Sequence, residues 1–192
     1  MVVVKKTNAG VSPLRPQKTR TPVEMTGNLG GSPYTSAMDA ERVRKFLLTL
    51  PHVVETMQWG DNLVFWVGDK AIGGKMFALV NLDGTEHGVI SYAAGAERFA
   101  ELVEREGVVP APYFARIFWV AVEHWGVLRD REWEADLSAA HGMTLAKLPK
   151  GVLEVLAMPE RARAKLIAER RKVLVAQAEK KAKAKTNAKD AK

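Results

Sequence analysis

The sequence of 192 residues contains no cysteine. Disulfide bonds and thiolate zinc sites are therefore excluded, because both need the cysteine sulfur. The chain also lacks any uninterrupted apolar run near the ~20 residues that a membrane-spanning helix requires. Residues 1–6 (MVVVKK) place only three valines before the first lysine, which is too few for the apolar segment of a signal peptide. We therefore expect a soluble protein of the cytoplasm.

Motifs for metal binding and catalysis are equally scarce. The histidines are scattered, and none has the HxH or HExxH spacing that would bring two imidazoles to one metal ion. Gly73-Gly74-Lys75 lacks the GxxxxGK[ST] spacing of a phosphate-binding loop. No serine or threonine lies in the nucleophile-elbow motif. We expect a protein without catalytic activity, metal or cofactor.

Charge is distributed unevenly along the chain, although the formal net charge is only +7. Residues 1–38 hold five basic residues and one acidic residue, and residues 159–192 hold twelve basic and four acidic ones. The stretch 39–158 therefore carries a net charge of −5 between two basic ends. This bears on nucleic-acid binding, because a basic surface attracts phosphates only where it is exposed to them.

The most apolar stretch covers residues 59–82 (WGDNLVFWVGDKAIGGKMFALVNL). Two runs rich in valine, phenylalanine and leucine are separated by glycine-containing segments, which is typical of a β-hairpin. Strand side chains alternate, so Leu63, Phe65 and Val67 would share one face. Val64 and Trp66 would share the other. Because both faces are apolar, the hairpin needs further strands and covering helices.

The flanking segments predict those elements. Periodic apolar positions indicate a helix from Asp39 to Leu50, ended by Pro51, and Pro159 is suited to begin a last helix. The other predictions are strands over 86–92 and 116–125, a helix over 94–103, a loop over 104–112 and a helix from 130 to about 145. The predicted fold class is α+β, with an antiparallel sheet and flanking helices in two layers, plus a C-terminal helical extension.

The predicted organisation has three segments. Residues 1–36 are rich in proline, glycine and basic residues without an apolar period, and we expect a disordered basic arm there. Residues 37–150 form the α+β domain, and residues 151–192 form a basic helical extension that ends in a Lys/Ala tail. Seven apolar residues are predicted to be buried together in the domain: Phe46, Leu47, Phe65, Phe77, Phe118, Val120 and Leu137.

Four short pieces, in this order, resemble the MmcQ/YjbR family of small bacterial proteins. They are Leu50-Pro51 with Glu55, Gly60-Asp61 with the hairpin and Gly74-Lys75-Met76-Phe77-Ala78, Pro110-Ala111-Pro112-Tyr113 leading into Trp119-Val120, and Lys147-Leu148-Pro149-Lys150. The resemblance spans about residues 40–150. It implies a two-layer fold with an antiparallel sheet, related in shape to secretion chaperones, and DNA binding through paired hairpin wings. The chain departs from the family pattern by an insertion around residues 69–72 and by both basic extensions.

The candidate nucleic-acid contacts are basic residues. Lys75 and Arg116 lie nearest the centres of predicted strands and match basic positions of the family pattern. Alternatively, Lys75 is an edge-strand charge that opposes aggregation, and Arg116 belongs to a weak surface ion pair. The Lys/Ala run is either a solvated tail or an attachment to nucleic acid through counterion release. The full predicted set is Lys75, Arg116, Lys147, Lys150, Arg170, Arg171, Lys172, Lys180, Lys181, Lys183 and Lys185.

The five tryptophans have two interpretations. They could stack on unpaired bases, or they could pack in the core, as large aromatic side chains usually do. Helical or strand spacing favours core packing for most of them. Trp59, in a loop beside Gly60-Asp61, is the best candidate for an exposed ring.

Three hypotheses of function remain. The leading one is a non-enzymatic DNA-binding protein of weak sequence selectivity, with affinity from the basic extensions and orientation from the hairpin and Arg116. The second is a protein-binding adaptor or chaperone-like module that uses an apolar sheet face, and the third is a small-ligand pocket beneath the hairpin. The acidic middle favours the last two, and the basic ends favour the first. A membrane partner is not expected, because the basic tail lacks aromatic anchors.

Overall fold

The computed structural model describes residues 38–83 and 88–190, with side chains described as far as Lys180. The predicted arm over 1–36 lies outside these residues. Within them the chain forms five helices and six strands. These are α1 (Ala40–Thr49), β1 (Val53–Gln58), β2 (Asn62–Val67), β3 (Lys75–Asn81), β4 (Ile90–Ala93), α2 (Ala96–Leu102), β5 (Val108–Pro110), β6 (Trp119–Val122), α3 (Asp130–Ala146), α4 (Lys150–Leu156) and α5 (Glu160–Asp190).

The six strands form one antiparallel sheet in the order β1-β2-β3-β4-β6-β5. Together with the helices this confirms the predicted α+β class. The first face of the sheet carries the main core, because Phe65, Val80 and Val120 pack there with helical residues such as Leu47 and Leu137. We call the opposite side the second face. No described helix is long and apolar enough to cross a membrane.

Local sequence signals explain several boundaries. Asp39 caps α1, since its carboxylate accepts a hydrogen bond from the backbone N–H of Arg42 at 2.8 Å, and the helix ends before Pro51 as predicted. The predicted hairpin is also confirmed as β2 and β3. A Cβ atom on Gly74 would lie 2.0 Å from the carbonyl oxygen of Gly68, so only glycine permits the close approach of the two strand ends.

The hairpin contains a β-bulge. Phe65 pairs with Ala78, but Trp66 pairs with Met76, so Phe77 is an extra residue in β3. A bulge interrupts the alternation of side chains, and both Phe77 and Ala78 are accordingly buried in the main core. The connection between the two strands contains a short 3-10 turn, Lys70–Ile72.

Three sequence-based predictions are wrong, and they concern one strand, two core residues and one loop. The predicted strand 116–125 is reduced to β6, because Ala115–Ile117 form a 3-10 turn and Phe118 has φ of +59°. Arg116 therefore lies in an exposed turn and not in a strand. Phe118 is 45% exposed, and Phe46 is half-buried, so these two do not share the burial of the other five predicted core residues. The predicted loop 104–112 contains the edge strand β5.

The core continues past Lys150, where the sequence placed the end of the domain. Val152, Val155 and Leu156 of α4 are buried in the main core, and Leu166 and Ile167 of α5 pack against it. The 3-10 turn between β2 and β3 also contacts α5. The carboxylate of Asp69 accepts a hydrogen bond from the Ala71 N–H at 2.8 Å and forms an ion pair with the guanidinium of Arg171.

This ion pair fixes α5 on the domain. The Asp69 side chain is only 5% exposed, so without Arg171 its charge would lie in a poorly solvated position. Its hydrogen bond to Arg171 raises the pKa of the guanidinium, which therefore remains charged at any ordinary pH. One residue of the predicted nucleic-acid set thus has a structural partner.

We predict that Phe77→Ala lowers the free energy of unfolding by roughly 3–5 kcal/mol, because it leaves a cavity in the core. Phe118→Ala is the matched control and should cost less than half as much, since its ring is half-exposed. Urea unfolding of the full chain measures both. Equal losses for the two variants would contradict this packing.

We also predict that Arg171→Met lowers the free energy of unfolding by roughly 1–3 kcal/mol, because it leaves a buried carboxylate without its charged partner. Amide exchange in the first half of α5 should accelerate. The exposed neighbour supplies a control, Arg170→Met, which should change neither quantity. Combining Asp69→Asn with Arg171→Met should recover most of the loss, and a double variant as unstable as Arg171→Met would refute the pair's role.

Candidate functional site, a pocket on the second face of the sheet

The second face of the sheet is covered by the connection between β5 and β6. Phe114 of this connection stacks at a tilt on the buried ring of Trp119, with the ring centroids 5.2 Å apart. The backbone N–H of Ala111 donates to the carbonyl oxygen of Trp119 at 2.9 Å. The connection is therefore anchored to the sheet beside β6, and it covers the second face only in part.

A cavity of about 410 Å³ lies beside this connection. The strands β2, β3 and β4 supply one part of its lining, and the β1–β2 turn, the β5–β6 connection and Gly88 before β4 supply the rest. The lining residues are Trp59, Asn62, Leu79, Asn81, Gly88, Ser91, Pro112, Tyr113 and Phe114. Leu79 and Ser91 are directly paired on neighbouring strands, so their side chains lie on the same face.

Two aromatic residues reach this cavity from backbone conformations that their residue types rarely adopt. Trp59 has φ of +51° and Tyr113 has φ of +66°, which places both in the left-handed region. A non-glycine residue held there costs on the order of 1–3 kcal/mol. Both rings are also largely exposed, Trp59 by 63% and Tyr113 by 93%. Burial of these rings therefore does not account for the strained backbone.

Two asparagine side chains lie next to each other in the pocket, because Asn62 and Asn81 are directly paired on β2 and β3. The Nδ2 atom of Asn62 donates to the carbonyl oxygen of Trp59 at 2.8 Å. The Oδ1 atom of Asn81 accepts from the backbone N–H of Asp83 at 3.0 Å. These partners fix the orientation of both amides, since a carbonyl only accepts and an N–H only donates.

The electrostatic environment at this end of the pocket is acidic. Asp61 and Asp83 each lie within two residues of an asparagine of the pocket, and both are exposed. Repulsion from the Asp61 carboxylate raises the pKa of Asp83 above its usual value. Two neighbouring carboxylates disfavour an anionic group here.

The predicted nucleic-acid residues lie elsewhere. Lys75 donates through Nζ to the backbone oxygen of Lys147 at 2.7 Å, which brings these two residues together beside the start of α4 at Lys150. Arg116 is exposed in the β5–β6 connection. The remainder lie on α5. Arg170, Lys172 and Lys180 are exposed there, Arg171 is paired with Asp69, and Lys181, Lys183 and Lys185 lie beyond the described side chains.

The predicted set therefore contains no residue that lines the pocket. Sequence reasoning did identify Trp59 as the tryptophan best placed for exposure, and the structure confirms this. It missed Asn62, Asn81 and Ser91, which are ordinary polar residues in the sequence. Only the strand register brings them together. Among the described residues, no group of three or more His, Asp or Glu side chains is placed to hold a metal ion.

Comparison with known proteins confirms the family inferred from the four sequence pieces. The YjbR family model matches residues 48–143, which is half of the chain. A crystal structure of the Deinococcus radiodurans protein DR2400, which has a DUF419 domain, superimposes with a TM-score of 0.53 at 24% identity. The superposition covers 62% of this chain and 88% of that one, and it supports the fold. No curated protein matches. The pocket lies within the matched residues, and the chain belongs to the YjbR family.

Proposed function

We propose that this chain is a binding protein without catalytic activity, and that the pocket on the second face holds a small organic ligand. The observation that carries the proposal is the pair Trp59 and Tyr113. Both are held in the left-handed conformation with exposed rings at one cavity. Strained residues of this kind persist where the surrounding structure enforces them, and they cluster at ligand sites.

The size and lining of the cavity support this proposal. A volume of about 410 Å³ falls within the range of small-molecule pockets, which is roughly 300–1,000 Å³. Leu79, Pro112 and Phe114 give an apolar lining, and the asparagine pair and Ser91 add a few convergent polar groups. This combination is typical of a site that binds through apolar contact and orients its ligand through hydrogen bonds.

Nucleic-acid binding is a second candidate function, and the charge of α5 favours it. Between residues 168 and 180 every residue of this helix is exposed, and Arg170, Lys172 and Lys180 present positive charges to solvent. Such a helix would bind DNA through its phosphates with little sequence selectivity. The hairpin and Arg116 would orient the complex. An apolar partner protein on the second face is the remaining hypothesis, and the pocket accommodates a small ligand more directly.

The ligand proposal predicts that Tyr113→Gly weakens ligand binding at least tenfold without lowering the melting temperature. Glycine adopts a positive φ without strain, so the variant removes the ring and relaxes the backbone together. Tyr113→Phe keeps the ring and should bind normally. Ile117→Ala alters an exposed residue of the same connection outside the pocket, and it serves as the control. The measurement is calorimetric titration of the full chain with aromatic compounds, which are first selected because they raise its melting temperature.

Two results would contradict the ligand proposal. One is the absence of any aromatic compound that stabilises the full chain. The other is a compound that binds Tyr113→Gly and the unmodified chain equally, since that would place the site elsewhere.

The nucleic-acid proposal predicts that neutralising the tail weakens duplex binding and flattens its salt dependence. Each phosphate contact contributes roughly 0.9 to the slope of log K against log salt, so a loss of several contacts is measurable. The tail variant combines four substitutions: Lys180→Gln, Lys181→Gln, Lys183→Gln and Lys185→Gln. It leaves the Asp69–Arg171 pair intact, so the fold is preserved.

A second variant combines Lys75→Gln with Arg116→Gln, which removes two exposed charges of the domain and leaves the tail unchanged. We expect a small effect on affinity and a larger effect on any sequence preference, because base contacts specify and phosphate contacts position. Fluorescence anisotropy at two salt concentrations compares the three proteins. No binding by the full chain at low salt would refute this function.

A further inference from the structure

The two amides of the asparagine pair present different chemical groups to the pocket. The hydrogen bond from Asn62 Nδ2 to the Trp59 carbonyl leaves the Oδ1 atom of Asn62 as an acceptor. The hydrogen bond from the Asp83 N–H to Asn81 Oδ1 leaves the Nδ2 atom of Asn81 as a donor. The side chains of directly paired strand residues have Cβ atoms about 4.5–5.5 Å apart. The pocket therefore offers one acceptor beside one donor.

A ligand that satisfies both groups must carry a donor beside an acceptor on the same edge. A cyclic amide does so, because its N–H and its carbonyl are adjacent and lie in the plane of the ring. Ser91 adds a largely buried hydroxyl group that can donate or accept. Leaving the two amides without partners under an apolar ligand would cost the free energy of desolvating them. The lining therefore discriminates against purely hydrocarbon rings.

The other walls favour a flat ring. Trp59 and Tyr113 line the cavity from connections at opposite edges of the sheet, and Phe114 is held in the lining by its contact with Trp119. Aromatic side chains stack on planar rings through their faces. Asp61 and Asp83 lie within two residues of the asparagine pair and disfavour an anion near the amide end, so we expect a phosphate group to weaken binding there.

We infer that the pocket selects an uncharged, planar heteroaromatic ring with a cyclic amide edge, bound as a free small molecule. This inference rests on the proposed ligand-binding function and specifies the class of ligand. The Asn62 oxygen accepts from the ring N–H, and the Asn81 nitrogen donates to the ring carbonyl. The aromatic side chains stack on the ring.

The test uses matched bicyclic probes with the full chain. Quinolin-2-one carries the cyclic amide edge, and N-methylquinolin-2-one has the same ring without the donor. We expect the first to bind at least tenfold more tightly, because the methyl group removes one hydrogen bond and meets the Asn62 oxygen. Equal affinities for both probes would overturn the edge assignment while leaving the pocket in place. If neither probe binds and no other flat ring binds, the ligand-binding function is overturned as well.

A near-isosteric substitution tests the role of Asn81. In Asn81→Asp the carboxylate still accepts from the Asp83 N–H, but it presents an acceptor where the amide presented a donor. The preference should change from quinolin-2-one to ring-protonated 2-aminoquinoline, whose ring N–H donates to the Asn62 oxygen and whose exocyclic amino group donates to the new carboxylate. Asp83→Asn is the control. It removes the neighbouring charge but keeps the asparagine pair, so the preference for quinolin-2-one should persist.

The binding of nucleosides distinguishes a ligand that is a free small molecule from one that is a base within a nucleic acid. Uridine carries a cyclic amide edge, so it should bind more tightly than uridine monophosphate, and this difference should shrink in Asp83→Asn. A single-stranded uridine oligomer should bind through the pocket more weakly than uridine itself. Tighter binding of the oligomer, abolished by Asn81→Asp, would overturn the assignment to a free small molecule.

Discussion

Every described helix with buried apolar residues packs them on the first face of a sheet that is apolar on both faces. The second face must therefore be covered by other means, since exposed apolar surface is costly. The β5–β6 connection provides that cover, because its residues Ala111 and Phe114 pack against Trp119 of β6. This connection covers less of the second face than a layer of helices would. The part that it leaves uncovered forms the pocket. One-sided helix packing thus determines where a ligand can enter.

Local sequence signals were sufficient for the central hairpin and for every described helix except α4. Asp39 and Pro51 delimit α1, and the alternating apolar residues of β2 and β3 identify two central strands. They were insufficient at the sheet edges. The outer strands β1 and β5 are short or half-buried, so their sequences show no strong alternation and went unrecognised. Phe118 illustrates the opposite error, because an apolar residue in an apolar run was assigned to a strand that begins only at Trp119.

The candidate site was predictable only in part, for a similar reason. Trp59 could be found because a tryptophan in a glycine-containing loop is unusual in itself. The asparagine pair could not, since Asn62 and Asn81 lie in different strands and become neighbours only through the register of the hairpin. Basic residues are conspicuous in a sequence, yet Arg171 shows that charge density does not reveal which charges already have partners. The family match covers the pocket and leaves α5 outside, so the ligand proposal concerns the matched domain, whereas most phosphate contacts of the nucleic-acid proposal concern α5.

The Asp69–Arg171 pair joins the two segments that were predicted from the sequence to depart from the family pattern. Asp69 begins the inserted turn between β2 and β3, and Arg171 belongs to the C-terminal extension. A chain with the insertion alone would hold a carboxylate in a poorly solvated position without a counter-charge. A chain with the extension alone would lose the anchor that holds its helix to the domain. The turn and the helix therefore stabilise each other, since each supplies the charge that the other needs.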